Sequence, residues 1–222
     1  MNALSSSPVG LKSIFVVEDS QAVARLMHDV VAHGSSMEWL GAAGSIREAK
    51  MALMNQGLPD VLVLDLKLPD GDGRELLSYV EEMAGQCAVL IITGVHNSAL
   101  THLLCSGRVD GAVDKLITDV KDWRLAFEVL RSGRHYFSTS FVDEMREFRD
   151  SPPNWAVELS EADFALLPEF VRGDPDEQIA ENHQLSPDQI KACREKLMRV
   201  LGLESMAELI LWGRRTGWDL VM

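Results

Sequence analysis

The chain is short of positive charge: 21 lysines and arginines stand against 34 aspartates and glutamates, a net −13 over 222 residues. A surface of that sign repels phosphate backbones and anionic headgroups, so charge alone will not hold this protein to nucleic acid or to a membrane. Long apolar runs are missing as well. None approaches the roughly 18 residues of a membrane span. The opening MNALSSSPVG has neither the basic nor the apolar region of a secretory leader, so a cytoplasmic location with no membrane attachment is expected. Cysteine is scarce and odd in number. Cys87, Cys105 and Cys193 form no C-x-x-C pair, which argues against a disulfide framework or a zinc site and for reduced, mostly buried thiols. Core-forming material is plentiful: 46% of residues are hydrophobic and 25% charged, the balance of one large folded domain or two small ones.

From residue 11 to 133 short apolar runs alternate with helical stretches. Ile14 to Val17, Met37 to Ala42, Val61 to Leu64, Val89 to Ile92 and Ala112–Val113 read as five strands. Helices are expected after Ser20 (closed by Gly34), after Ser45, and over about 74–83, 98–105 and 120–131, with Gly133 near a C′ position. The segment PDGDG between the third strand and the third helix is turn-rich. The strands are mostly continuous apolar runs rather than alternating ones, which suits strands covered on both faces. The pattern predicts an α/β fold with a doubly wound five-stranded parallel sheet, whose site lies at the carboxyl ends of the strands.

Those ends are where the polar residues fall: Glu18 and Asp19, Asp65, Thr93 and Lys115. Three carboxylates gathered in a partly desolvated cleft repel one another and demand a cation. An all-oxygen cluster with room for water suits Mg²⁺. With Lys115 to balance charge or grip an anion, the set is arranged for phosphoryl transfer to a carboxylate.

In order and spacing, Val17-Glu18-Asp19-Ser20, then Leu64-Asp65-Leu66-Lys67-Leu68-Pro69-Asp70-Gly71-Asp72-Gly73, then Ile92-Thr93-Gly94, then Lys115 resemble the receiver domain of two-component response regulators, over roughly residues 11–133. The resemblance implies a flavodoxin-like fold. It implies that Asp65 accepts a phosphoryl group from a sensor histidine kinase, and that Mg²⁺ is held by Glu18, Asp19, Asp65 and the backbone carbonyl of Lys67. Thr93 and Lys115 would contact the acyl phosphate. A receiver is a phosphoacceptor with slow self-dephosphorylation, not a conventional enzyme. Two positions depart from the family: Ala112 stands where a switch tyrosine or phenylalanine is usual, and Leu116 follows Lys115 in place of proline.

Residues 134–158 read as a linker with one short helix over Phe141 to Phe148, ended by the helix-breaking Ser151-Pro-Pro-Asn154. From residue 159 to 222 the pattern is all helical, with four helices expected near 161–171, 176–183, 187–201 and 206–214. Ser186-Pro187 is a strong start signal for the third. The short turn over Asn182 to Ser186 makes the second and third a helix-turn-helix. Leu159-Ser160, Ile179-Ala180 and Leu201-Gly202-Leu203 are similar to the LuxR/NarL-type output domain. That resemblance implies a homodimer when active and DNA contacts from Gln189, Lys191, Lys196 and Arg199. Several positions are eroded. Pro168 falls inside the first helix, where it should kink the chain or break hydrogen bonds. His183 takes a usual core leucine, Cys193 a phosphate-contacting histidine, Arg194 an apolar position and Val200 a lysine. Residues 151–222 carry 13 acidic and 7 basic side chains, −6, so weak, weakly salt-dependent DNA binding is expected. The alternative is a phosphorylation-dependent protein-interaction module whose helix-turn-helix no longer binds DNA.

Overall fold

Unbroken apolar runs are sheltered only where helices cover both faces of a sheet, and this decides the architecture of the amino-terminal half. The computed structural model describes residues 12–218 apart from 35, 84 and 117–118, so Leu11 and residues 219–222 of the expected domain limits lie outside the described residues. The elements are β1 (Lys12–Val17), α1 (Gln21–Gly34), β2 (Met37–Ala43), α2 (Ile46–Gln56), β3 (Val61–Asp65), β4 (Lys67–Leu68), β5 (Gly71–Asp72), α3 (Glu75–Glu82), β6 (Ala88–Thr93), α4 (Ser98–Ser106), β7 (Gly111–Asp114), α5 (Val120–Arg131) and β8 (Tyr136–Phe137). The main sheet has the order β2-β1-β3-β6-β7-β8, with every neighbouring pair parallel.

Side chains alternate across this sheet as the pleat requires. Ile14, Val16, Val61, Val63, Leu90 and Ile92 share one face, where Met27, Val30 and Val31 of α1 and Trp123, Phe127 and Leu130 of α5 cover them. Each such fully buried aliphatic or aromatic side chain contributes about 1.5–3 kcal/mol. Five strands were expected and six are present. β8 is only two residues long, pairing Tyr136 with Gly111 and Phe137 with Ala112, and two residues are too few for any periodicity to show. The turn-rich PDGDG folds into the β4–β5 hairpin. Asp70 at its tip accepts the amides of Ile46 and Arg47 at 2.9 and 3.0 Å, capping α2, and Asp72 holds the buried guanidinium of Arg74 bidentately.

The remaining elements are α6 (Thr139–Asp150), α7 (Asn154–Glu158), α8 (Glu161–Arg172), α9 (Asp176–His183), α10 (Pro187–Leu201) and α11 (Met206–Thr216). Capping boxes start α8 at Ser160 with Asp163 and α10 at Ser186 with Gln189. Between α9 and α10 the chain turns at Gln184, whose φ of 55° is left-handed. Pro168 does not interrupt α8. The helix runs through it as one 12-residue element, because its residues from Leu166 to Val171 are all buried and packing outweighs the lost backbone bond. Gly213 brings α11 onto α8: a β-carbon there would lie 2.2 Å from Val171. The expected helix over 141–148 is the longer α6, and α7 follows it.

The chain divides into two compact units. One comprises Met1–Gly94 and Val109–Ser138; the other comprises Val95–Arg108 and Thr139–Met222. Helix α4 therefore packs as a member of the carboxy-terminal unit, against α6. Within that unit His102 of α4 lies against the rings of Phe148, Trp155, Phe164 and Trp218, with Phe164 and Trp218 stacked at 5.4 Å. Among the described residues no helix is long and apolar enough to cross a membrane.

Candidate functional site

The site is assembled by strand ends. β1 delivers Glu18 and Asp19, β3 ends on Asp65, β6 ends on Thr93, and Lys115 follows β7. Glu18 is fixed by its own amide bonding to the Ala43 carbonyl at 2.8 Å and by its carboxylate accepting from the Ser20 amide at 3.1 Å. Asp65 accepts from the Lys67 amide at 3.1 Å, so the turn after the strand orients the carboxylate. That turn needs a glycine: a β-carbon on Gly73 would sit 2.0 Å from the Asp65 carbonyl oxygen, and the Gly73 amide closes the turn on Leu66 at 2.9 Å.

Carboxylate oxygens of Glu18, Asp19 and Asp65 lie within 4.8 Å of one another. Glu18 and Asp65 are buried and Asp19 is exposed, so the cluster opens to water on one side. The ammonium of Lys115 sits between the two buried carboxylates, 2.5 Å from Glu18 and 2.7 Å from Asp65. Burial pushes the Glu18 carboxyl above its ordinary pKa; Lys115 draws it back and the charge of Asp65 adds to the rise. Burial disfavours the charged form of Lys115, but hydrogen bonds and charge from Asp65 and Glu18 outweigh it and raise its pKa. The donor set is all oxygen, compact and partly wet, which fits a hard divalent cation. Thr93 is buried at the end of β6, one residue beyond Ile92, the register partner of Asp65. The Lys115 amide donates to its carbonyl at 3.0 Å. The Lys67 side chain is exposed.

In the carboxy-terminal unit the expected DNA-contacting residues separate. Gln189, Lys191 and Arg199 are exposed along α10. Lys196 is turned to Asp163 at the start of α8, which also accepts from Ser160 and from the Cys193 thiol. Burial opposes ionisation of Asp163, but bonds from Lys196, from the Ser160 hydroxyl and amide and from Cys193 prevail and hold its pKa at about 2. The same burial and the Asp163 charge push the Cys193 thiol up to about 12, leaving it protonated and inert. Arg194 is paired with Asp176. His183 and Asn182 both bond the buried Glu169, at 2.5 and 2.9 Å, so His183 is a satisfied polar group of the α8–α9 packing. Sequence reasoning passed over Asp70, Asp72 and Arg74 as functional supports, although the Asp-Gly-Asp-Gly-Arg spacing was in view.

A doubly wound sheet with a carboxylate trio and an ammonium at its carboxyl edge, followed by a helix-turn-helix, defines a receiver joined to an output module. Residues 14–122 match the response regulator receiver domain. The chain is 28% identical over 201 residues to the DNA-binding transcriptional activator DevR/DosR of Mycobacterium tuberculosis, covering 86% of this chain and 88% of that protein. It is 27% identical over 207 residues to the oxygen regulatory protein NreC of Staphylococcus aureus, covering 88% and 94%. Its fold is similar to that of RcsB from Salmonella enterica serovar Typhimurium bound to promoter rprA in the presence of the phosphomimetic BeF3⁻. The TM-score is 0.64 at 18% identity, over 91% of this chain and 98% of that one. These likenesses support a response regulator receiver domain followed by a helix-turn-helix domain. Receivers are phosphoacceptor modules rather than conventional enzymes.

Proposed function

We propose that this protein is a cytoplasmic, phosphorylation-controlled transcription regulator whose receiver spans 11–133, whose linker spans 134–158 and whose output domain spans 159–222. Asp65 is the phosphoacceptor. The N–P bond of a kinase phosphohistidine breaks as an Asp65 carboxylate oxygen forms the new O–P bond, and the freed imidazole takes up a proton. Glu18, Asp19, Asp65 and the Lys67 carbonyl hold Mg²⁺, which supplies charge neutralisation for the transferring phosphoryl group. Lys115, already seated on Asp65, shifts to the phosphoryl oxygens, and the Thr93 hydroxyl donates to them. Slow hydrolysis of the acyl phosphate resets the domain.

Phosphorylation favours a homodimer that presents two copies of α10 to successive major grooves of DNA. Gln189, Lys191 and Arg199 are the exposed contacts, and Lys196 joins them only by leaving Asp163. The likeness to DevR/DosR, named a DNA-binding transcriptional activator, supports this output.

The observation that carries the reading is the ammonium of Lys115 bridging Asp65 and Glu18 beside the exposed Asp19. The test is incubation with acetyl phosphate and Mg²⁺, followed by selection of random DNA duplexes at low salt. Labelling of the wild type but not of Asp65→Asn, with enrichment of a sequence motif, is expected. Equal labelling of both refutes the acceptor, and no enrichment refutes the DNA output.

A further inference from the structure

Ala112 is fully buried in β7 and carries no ring or hydroxyl able to change rotamer, so β7 offers no movable side chain at that point to report on Thr93. The chain itself offers a shorter route. Thr93 is the last residue of β6, and the next residue, Gly94, is the last of the amino-terminal unit before the chain passes into the other. His96, three residues beyond Thr93, lies on the ring of Phe141 in α6, centroids 4.8 Å apart and planes 19° from parallel. Its Nδ1 is paired with Glu144, one turn further along α6. The same carboxylate accepts from Thr101 of α4 at 3.4 Å, and the Cys105 thiol reaches the Met145 carbonyl at 3.9 Å. Phe141 is fully buried, so in a close-packed interior its ring cannot tilt without α6 answering.

We propose that the signal leaves the phosphorylation pocket through the β6–α4 connection, with His96 seated on Phe141 as the residue that passes a shift of Thr93 to α6. This rests on the phosphoacceptor reading of Asp65. His96 and Phe141 are positioning residues and touch no reacting atom. When the Thr93 hydroxyl is drawn to the phosphoryl oxygens, Gly94 to His96 follow. The stacked ring and the Glu144 pair then carry that displacement into the helix that opens the 139–222 segment, as packed elements switch between discrete arrangements. α4 and α6 move as one, since Glu144 and Met145 tie them.

The test is hydrogen–deuterium exchange on the full chain with and without acetyl phosphate and Mg²⁺, read on peptides of α4 and α6, beside phosphoryl incorporation measured on the same samples. Wild type is expected to change its α6 exchange on labelling. His96→Ala, at a partly exposed side chain, is expected to label as wild type and lose the α6 change. Phe141→Leu fills the same pocket without a ring and is expected to do the same. Normal labelling with an undiminished α6 response in both variants overturns the coupling alone. No labelling of the wild type overturns the acceptor reading and this inference with it.

Discussion

The two halves handle their charges in opposite ways. In the receiver, like charges are crowded together: Glu18 and Asp65 are buried side by side with one shared ammonium, an arrangement that gains when a further cation arrives. In the output domain, basic residues are distributed among acids. Lys196 faces Asp163 and Arg194 faces Asp176, while the exposed Lys191 and Arg199 alternate along α10 with the exposed Asp188 and Glu195. The first is a pocket of buried, crowded carboxylates; the second is a folded scaffold with few charges to offer a polyanion. Crowded charge marks chemistry more clearly than abundant charge does.

The comparison is broken most severely at Asp65. Asp65→Asn is expected to abolish phosphoryl incorporation from acetyl phosphate, read by mass or by mobility shift. Lys115→Ala is expected to keep incorporation while losing phosphorylation-dependent dimerisation, read by light scattering, because the carboxylates remain and the ammonium that follows the phosphoryl group does not. Lys196→Met sharpens the contrast from the other side. It leaves the Asp163 carboxylate without its partner, which lowers unfolding stability by about 1–3 kcal/mol in urea melts and leaves the salt dependence of DNA binding unchanged. Lys191→Ala does the reverse: stability holds, and the slope of log affinity against log salt falls by about 1. The smallest effect is on pH. Asp163 ionises at about 2 in the fold, below the 3.8 of the free side chain. Its contribution is therefore complete above pH 3.8 and is lost as the pH falls through about 2. Lys196→Met is expected to flatten that acid-side loss.

Much of the fold was legible because it rests on patterns with length. The strands at 14–17 and 61–64 and the helices at 176–183 and 187–201 are long enough to show burial period and caps, and α9 and α10 fall on the expected bounds. β8 and the β4–β5 hairpin are two-residue strands defined by their partners, which no local pattern records. The acidic cluster was legible because parallel strands all end at one edge, so Glu18, Asp19 and Asp65 meet however far apart they stand in the chain. The orientation of Lys196 was not, since a lysine on a helix reads the same whether it faces solvent or a carboxylate on the next helix. Nor was the allegiance of α4: Leu100, Leu103 and Leu104 mark it as buried without saying beneath what.

That allegiance sets a limit on domain shuffling. The chain crosses between its units three times, at 94–95, 108–109 and 138–139, so no single cut separates them. A chimera spliced anywhere in 134–158 would import a foreign output domain yet keep the native α4. Of the rings that His102 meets, at least those at Phe164 and Trp218 would then be foreign.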